Sequence, residues 1–381
     1  MKRIDRLDVL SFCNGLVFFA PVALLVRTQA GVPLSWFFLL QAVLSLTVLV
    51  FEFPTGLLTD RIGYRRTLLL AQLASFASRV LLLAAFLCRS LPLFFLEAVV
   101  EGVASCFLSG TLEAYLYSAC GPERYPAKLA RTSNFGTAGF LISTLLYAVI
   151  HRLGGMPALL LATVLACGAG IPCAAGLAPE PGTRPAGPGR ASPLSLFRGG
   201  RMALFVLLSA GFSLAFLLVN FFYAEKLQGM GLGEAWLSAV IVGYSLVQML
   251  AERILEKTPS AGRRALMLGG VLLSAGLMAV FAWSSARIVV LPVMILLPLA
   301  LTVPGFLLEG LENRCIDRLG QGENRAAILS AMSMGGNLLE VIFLFASAAL
   351  SGAGAPACFL AAAGLLAVFG CAVAVRWESA E

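Results

Sequence analysis

Glu97 and Glu101 stand four residues apart inside a long apolar run, a spacing that puts both on one face of a helix. The apolar run before it carries Arg79. Counted inward at about 1.5 Å per residue, Arg79 and Glu101 reach similar depths near the middle of a bilayer-thick layer. A charge at that depth requires a partner or a water-filled cavity. If Arg79 pairs with one glutamate, the other carboxylate is left able to take up and release a proton. The other reading of the same residues is a structural ion pair, with the second glutamate facing water. Farther along, Glu340 lies in another apolar run with Asn337 three residues before it. It either holds a cationic solute, shares in proton transfer, or makes a hydrogen bond between helices. Asn14, Gln41, Asn220 and Tyr223 are further polar groups in apolar runs, suited to line a cavity or, for the amides, to cross-link helices. Phe18, Phe19, Phe212, Phe216, Phe221 and Phe222 form either an apolar lining or a lipid-facing surface.

The elements that position these groups are membrane spans. The 381 residues are 59% hydrophobic and only 12% charged, with a mean hydropathy of +0.91, whereas soluble domains carry about 25% charged residues. A net charge of +7 comes from short clusters of Lys and Arg between apolar runs. That is the distribution of cytoplasmic membrane loops and not of a nucleic-acid-binding face. Nine cysteines show no C-x-x-C spacing, and His151 is the only histidine. No metal, cofactor or disulfide framework is expected, and the cysteines read as small apolar fillers. The basic N-terminus before an apolar run has the form of a signal peptide. An uncleaved first span fits the even set of spans that follows better.

Twelve apolar segments are expected at about 9–27, 34–58, 67–88, 91–118, 131–150, 156–178, 202–223, 234–256, 264–283, 287–311, 325–350 and 355–375. Alternating them from a cytoplasmic N-terminus puts twenty Lys and Arg on the inner side and five on the outer, with Arg79 and Arg253 inside helices. Both termini are therefore expected in the cytoplasm. The stretch 179–201 is rich in Pro, Gly, Arg and Ser and reads as a cytoplasmic linker. It divides an N-terminal six-helix half, 1–178, from a C-terminal half, 202–381. The halves repeat weakly at an offset of about 197. Arg65-Arg66-Thr67-Leu68-Leu69-Leu70 matches Arg263-Arg264-Ala265-Leu266-Met267-Leu268, and Leu112-Glu113-Ala114 parallels Leu308-Glu309-Gly310.

Between the second and third segments the chain reads Gly56-Leu57-Leu58-Thr59-Asp60-Arg61-Ile62-Gly63-Tyr64-Arg65-Arg66. So short a basic hairpin joins two spans on the cytoplasmic side. Gly56 lets two backbones approach and Gly63 permits a left-handed turn. Asp60 can face the positive end of a neighbouring helix. Arg61, Arg65 and Arg66 can hold carboxylates or lipid phosphates.

This spacing resembles the signature G-x-L-x-D-R-x-G-R-[RK] of the major facilitator superfamily, found between its second and third helices. Gly56, Leu58, Asp60, Arg61, Gly63, Arg65 and Arg66 occupy its positions, and Thr59 departs mildly from a small apolar residue. In the second half Thr258 and Ala261 stand where Asp60 and Gly63 would repeat. Arg325-Ala326-Ala327-Ile328-Leu329-Ser330 also resembles a sequence of bacterial facilitators. The resemblance implies an all-α polytopic membrane protein with twelve transmembrane helices in two six-helix halves. It implies a secondary transporter working by alternating access, with spans one, four, seven and ten lining the path, which adds weight to Asn14 and Asn220. Charges at the cytoplasmic helix ends can pair in one state and part in another, Glu113 with Arg61 or Arg65 and Asp60 with residues 324–327, or can simply be solvated. The resemblance implies the same inner-gate role for the hairpin. Two features depart from proton-driven drug exporters. Ala98 stands where an arginine is usual, with Glu101 in place of a glutamine, and Asn134 to Phe140 has glycines but no Gly-Pro pair.

The reading is a proton-coupled exporter, in an efflux-like branch, of a small organic amphipathic solute. Its partners are that solute, protons and the lipid bilayer, with no nucleic acid. It is expected to work as a monomer in a bacterial inner membrane. A nutrient importer or uniporter of the same fold, and a membrane sensor or assembly partner that moves nothing, are the rivals. No Ser/His/Asp set, metal cluster or phosphate-binding loop suggests an enzyme.

Overall fold

A computed structural model describes residues 4–32, 34–179, 200–232, 234–349 and 355–375. Some helical side chains, Gln41, Asn220 and Glu340 among them, lie outside what it describes. Every regular element among the described residues is helical. The α-helices are α1 (Arg6–Gly15), α2 (Ala23–Gln29), α3 (Leu34–Ile62), α4 (Tyr64–Cys88), α5 (Leu91–Leu108), α6 (Thr111–Ala175) and α7 (Arg201–Gly229), followed by α8 (Glu234–Gln248), α9 (Leu250–Lys257), α10 (Ser260–Trp283), α11 (Arg287–Arg318), α12 (Arg325–Ala349) and α13 (Ala355–Val375). Six helical stretches are long and apolar enough to cross a membrane. One of them, Leu91–Ala175, is 85 residues long, several times the ~20 that one crossing takes. It contains α5 and α6, and its backbone is interrupted by positive φ at Gly110, Gly121 and Gly155.

The contacts group the chain into two compact units. The first comprises Met1–Ala119, Arg131–Arg190 and Glu323–Ala331, and the second comprises Cys120–Ala130, Ala191–Gly322 and Met332–Glu381. Inside the first, Phe18, Phe19, Val26, Leu82, Phe94 and Leu159 form an apolar core. Inside the second, the rings of Tyr223, Phe281 and Phe359 pack in sequence, with centroids 5.3 and 4.8 Å apart. Many large apolar side chains face outward, such as Leu153, Trp283 and Ile288. In water such a surface would be a liability; against lipid tails it is the ordinary exterior.

The first segment, expected as one span over 9–27, is interrupted. α1 ends at Gly15, a 3-10 turn spans Ala20–Val22, and α2 follows. Pro21 has no N–H to give the Val17 carbonyl four residues back. That carbonyl accepts instead from the Ala20 N–H at 3.1 Å and the Ser143 hydroxyl at 3.4 Å. The Phe18 N–H donates to Thr163 Oγ1 at 3.1 Å. Non-helical backbone at membrane depth survives where protein groups satisfy it, and here α6 supplies them.

Candidate functional site

The polar centre of the first unit is built on one face of α5. Glu101 accepts from Arg79 Nη2 at 2.9 Å and from the Ser78 hydroxyl at 2.5 Å. Ser78 and Arg79 are adjacent on α4, and the Arg79 guanidinium lies 5.7 Å from the centroid of the Phe19 ring. Glu101 lies ten residues into α5, about 15 Å along a helix and so half the depth of a hydrocarbon core of about 30 Å. One turn away, Glu97 accepts from Arg27 Nη2 through both oxygens, at 3.3 and 3.4 Å. The expectation that one glutamate would lack a cation is therefore corrected, because Arg27 lies in the last turn of α2 and turns inward to α5. The two pairs differ in access. The Arg27 and Glu97 side chains are 10% and 3% exposed, against 20% and 22% for Arg79 and Glu101.

The hairpin between α3 and α4 turns on Gly63, at φ 91°. Asp60 Oδ1 accepts from the Ala326 N–H at 3.0 Å and Oδ2 from the Ala327 N–H at 2.9 Å. One carboxylate thus caps the start of α12, where free N–H groups and the helix dipole favour negative charge. Gly56 makes this approach possible, since a Cβ there would fall 2.9 Å from Ala327 Cα. The Arg325 guanidinium stacks 4.4 Å from the centroid of the Tyr117 ring. Arg65 donates to the Ala175 carbonyl at 2.7 Å, Arg6 donates to the Gly176 carbonyl, and Tyr115 donates to the Ala178 carbonyl at 3.1 Å. Three side chains so close the end of α6. Arg61 and Arg66 are exposed. The charged neighbour of Glu113 is the buried Glu52. The expected pairing of Glu113 with Arg61 or Arg65 is therefore not made among the described residues.

The sequence model of the Major Facilitator Superfamily matches residues 7–311. The chain belongs to that superfamily. The comparison with curated protein sequences gives no match. Several solved structures share the facilitator fold. The MFS transporter FucP in its outward conformation has a TM-score of 0.78 at 13% identity, over 98% of this chain and 97% of that one. The human organic anion transporter MFSD10 (TETRAN) gives 0.73 at 16% identity, over 96% and 97%. The proton:xylose symporter XylE, bound to 6-bromo-6-deoxy-D-glucose, gives 0.73 at 15% identity, over 99% and 94%. At such identities the likeness speaks for fold. Together with the superfamily match it makes the chain an integral membrane protein and a secondary transporter of a small molecule, not an enzyme.

The remaining polar groups of this facilitator fall into three sets. Asn14, exposed on α1, donates to Gln72 Oε1 at 2.9 Å, and Gln72 Nε2 donates to the Cys167 carbonyl at 2.8 Å. Tyr223 is 3% exposed, and its hydroxyl donates to the Met294 carbonyl at 2.9 Å. That hydroxyl is committed to α11, and the ring stands within the second unit's aromatic core. Asn337 is exposed on α12, while the side chains of Gln41, Asn220 and Glu340 lie outside the described ones. Sequence reasoning missed Ser78, Gln72 and the inward turn of Arg27. Ser78 has a signal, its place beside Arg79; Gln72 has its place in an apolar run. Among the described residues no group of three or more His, Cys, Asp or Glu could hold a metal ion.

Proposed function

We propose that this facilitator is a proton-coupled exporter of the efflux-like branch, moving a small organic, amphipathic solute out across a bacterial inner membrane. One observation carries the reading: the Arg79–Glu101 pair at mid-depth, a fifth exposed, with Ser78 holding the second carboxylate oxygen. Ionised, the pair is neutral as a whole. A proton on Glu101 leaves the Arg79 charge uncompensated at a depth where lone charge is costly. Proton and solute then favour different states of one site, which is the requirement for exchange. The mostly apolar surroundings suit an amphipathic cargo better than a sugar, which needs many fixed hydrogen-bond partners.

The rest of the machine follows from the same reading. Two six-helix halves, 1–178 and 202–381, joined by the linker 179–201, alternate access, and one chain holds the whole pathway. The hairpin of Gly56, Asp60, Arg61, Gly63, Arg65 and Arg66 works as the inner gate, its capping contact with α12 made and broken in the cycle. The excess of Lys and Arg on one side supports cytoplasmic termini. A second reading, proton-driven uptake, is favoured by the likeness to the fucose:proton and proton:xylose symporters.

The test is proton release from purified protein in detergent as candidate compounds are added, with Glu101→Gln and Glu97→Gln alongside. Release by the parent that disappears in Glu101→Gln is the expected outcome. Binding without release sinks the exchange mechanism. Accumulation of the bound compound in inside-out vesicles separates export from uptake.

A further inference from the structure

Two ion pairs one turn apart on α5 are more than the exchange mechanism needs, and the buried one has so far no task. Its basic member is carried by α2, a seven-residue helix cut off from α1 by the interruption at residues 16–22. Its acid, Glu97, lies six residues into α5, about 9 Å along the helix, between the α5 end opposite the hairpin and Glu101. The charged groups facing Glu97 are Arg27 from α2, Glu101 on its own helix and Arg79 from α4. Arg27 is held a second time, by its Nη1 bond to the Ala23 carbonyl at 3.2 Å, so its position follows the tilt of α2. Resting on the reading of Glu101 as the proton-carrying group, we propose that Arg27 and Glu97 form a proton gate between the surface opposite the hairpin and Glu101.

The steps balance in protons and charge. When α2 tilts away, Glu97 loses its cation and takes a proton from water at that surface. Glu97 then gives the proton to the ionised Glu101, directly or through one water, and Glu97 is again a carboxylate. Arg79 loses its partner as Glu101 is neutralised, and Arg27 returns to Glu97. With Arg27 back in contact, Glu97 is tied to its cation and the path between Glu101 and that surface is closed in both directions. The residual burial of the pair suits this role, since an open acid there would conduct protons in every state of the cycle. Arg27 is a positioning residue in this scheme, acting only through Glu97.

The experiment needs no solute. Purified protein is placed in liposomes holding a trapped pH-sensitive dye, a pH step is applied, and passive proton entry is followed. Wild type is expected to hold the gradient. In Arg27→Gln entry should rise by about tenfold, because Glu97 then lacks the cation that closes it off. Arg27→Lys, which keeps the charge, should restore most of the seal. In Arg27→Gln/Glu101→Gln the entry should return to the wild-type value. Entry in Arg27→Gln equal to wild type overturns the gate, and so does a leak that survives loss of Glu101. Should Arg27→Gln fail to fold, Glu97→Gln takes its place. It keeps Arg27 and should slow proton uptake by the purified protein in detergent after a pH jump by about tenfold, and unchanged uptake overturns the gate. These outcomes leave the exchange mechanism standing, because that fails only if the parent binds without releasing protons or if Glu101→Gln keeps the proton release of the parent.

Discussion

Each unit has a membrane segment that proline deprives of a helical hydrogen bond, and the two are repaired differently. In the first unit, Pro21 strips the Val17 carbonyl of its helical donor, and the replacements are a local N–H and a long bond from Ser143, 3.4 Å. The helix does not survive: α1 and α2 are separate pieces. In the second unit α11 contains Pro292, Pro298 and Pro304 and still runs 32 residues. Pro298 strips the Met294 carbonyl four residues back, and Tyr223 supplies a hydroxyl at 2.9 Å. On the next turn the Thr302 hydroxyl donates to the Pro298 carbonyl at 2.8 Å and accepts from Gln248 at 2.6 Å. A proline therefore does not by itself decide whether a membrane helix breaks. The donor that a neighbouring helix can bring to the freed carbonyl takes part in the decision. Tyr223 is a good donor because its ring is fixed between Tyr244 and Phe281, so little freedom is lost in making the bond.

The largest test of this contrast is Tyr223→Phe. It leaves the Met294 carbonyl buried without its donor and should cost about 1–3 kcal/mol of stability, seen as a lower unfolding temperature in detergent. Wild-type stability in that variant would mean that the bond does not hold α11. A sharper test is the cycle with Pro298→Ala, which returns an N–H to Met294. In that background Tyr223→Phe should cost about 1 kcal/mol less than in wild type, and strictly additive costs would remove the link between the proline and the tyrosine. The smallest effect belongs to Ser143→Ala. The Ala20 N–H still serves Val17 there, so the loss should be about 0.5 kcal/mol; a loss as large as that of Tyr223→Phe would erase the difference between the two repairs.

How far each feature was legible depends on the range of its cause. The hairpin is local, and its glycine turn stands where the spacing places it. Asp60 reaching residues 326–327 crosses most of the chain, yet it was readable because an acid before a turn and a helix start are both marked in sequence. That Arg79 meets Glu97 or Glu101 follows from counting depth along two neighbouring helices, and the packing selects Glu101. Arg27 was not readable in the same way. Its contact with Glu97 depends on the interruption of the first span, and that depends on which hydroxyls α6 brings to Val17 and Phe18. Tyr223 looked like a cavity residue because a tyrosine in an apolar run has no visible partner. Its partner is a backbone carbonyl made available by a proline 75 residues later in the chain, a coincidence that only packing reveals. The pairing of Glu113 with an arginine rests on shared position at helix ends, and end charges have too many neighbours for position alone to choose.

Asp60 uses both of its oxygens, one for each of two successive N–H groups. That makes the position unforgiving in a way its exposed neighbours Arg61 and Arg66 are not. Asparagine brings one acceptor and turns its amide hydrogens toward the other N–H. Glutamate brings two acceptors on a stem one carbon too long for a space that Gly56 has already reduced to backbone contact. Serine and threonine bring a single oxygen. Of the twenty side chains, one has two acceptors at this reach, so Asp60 joins Gly56 and Gly63 as the hairpin positions where mutation has the fewest letters to choose from.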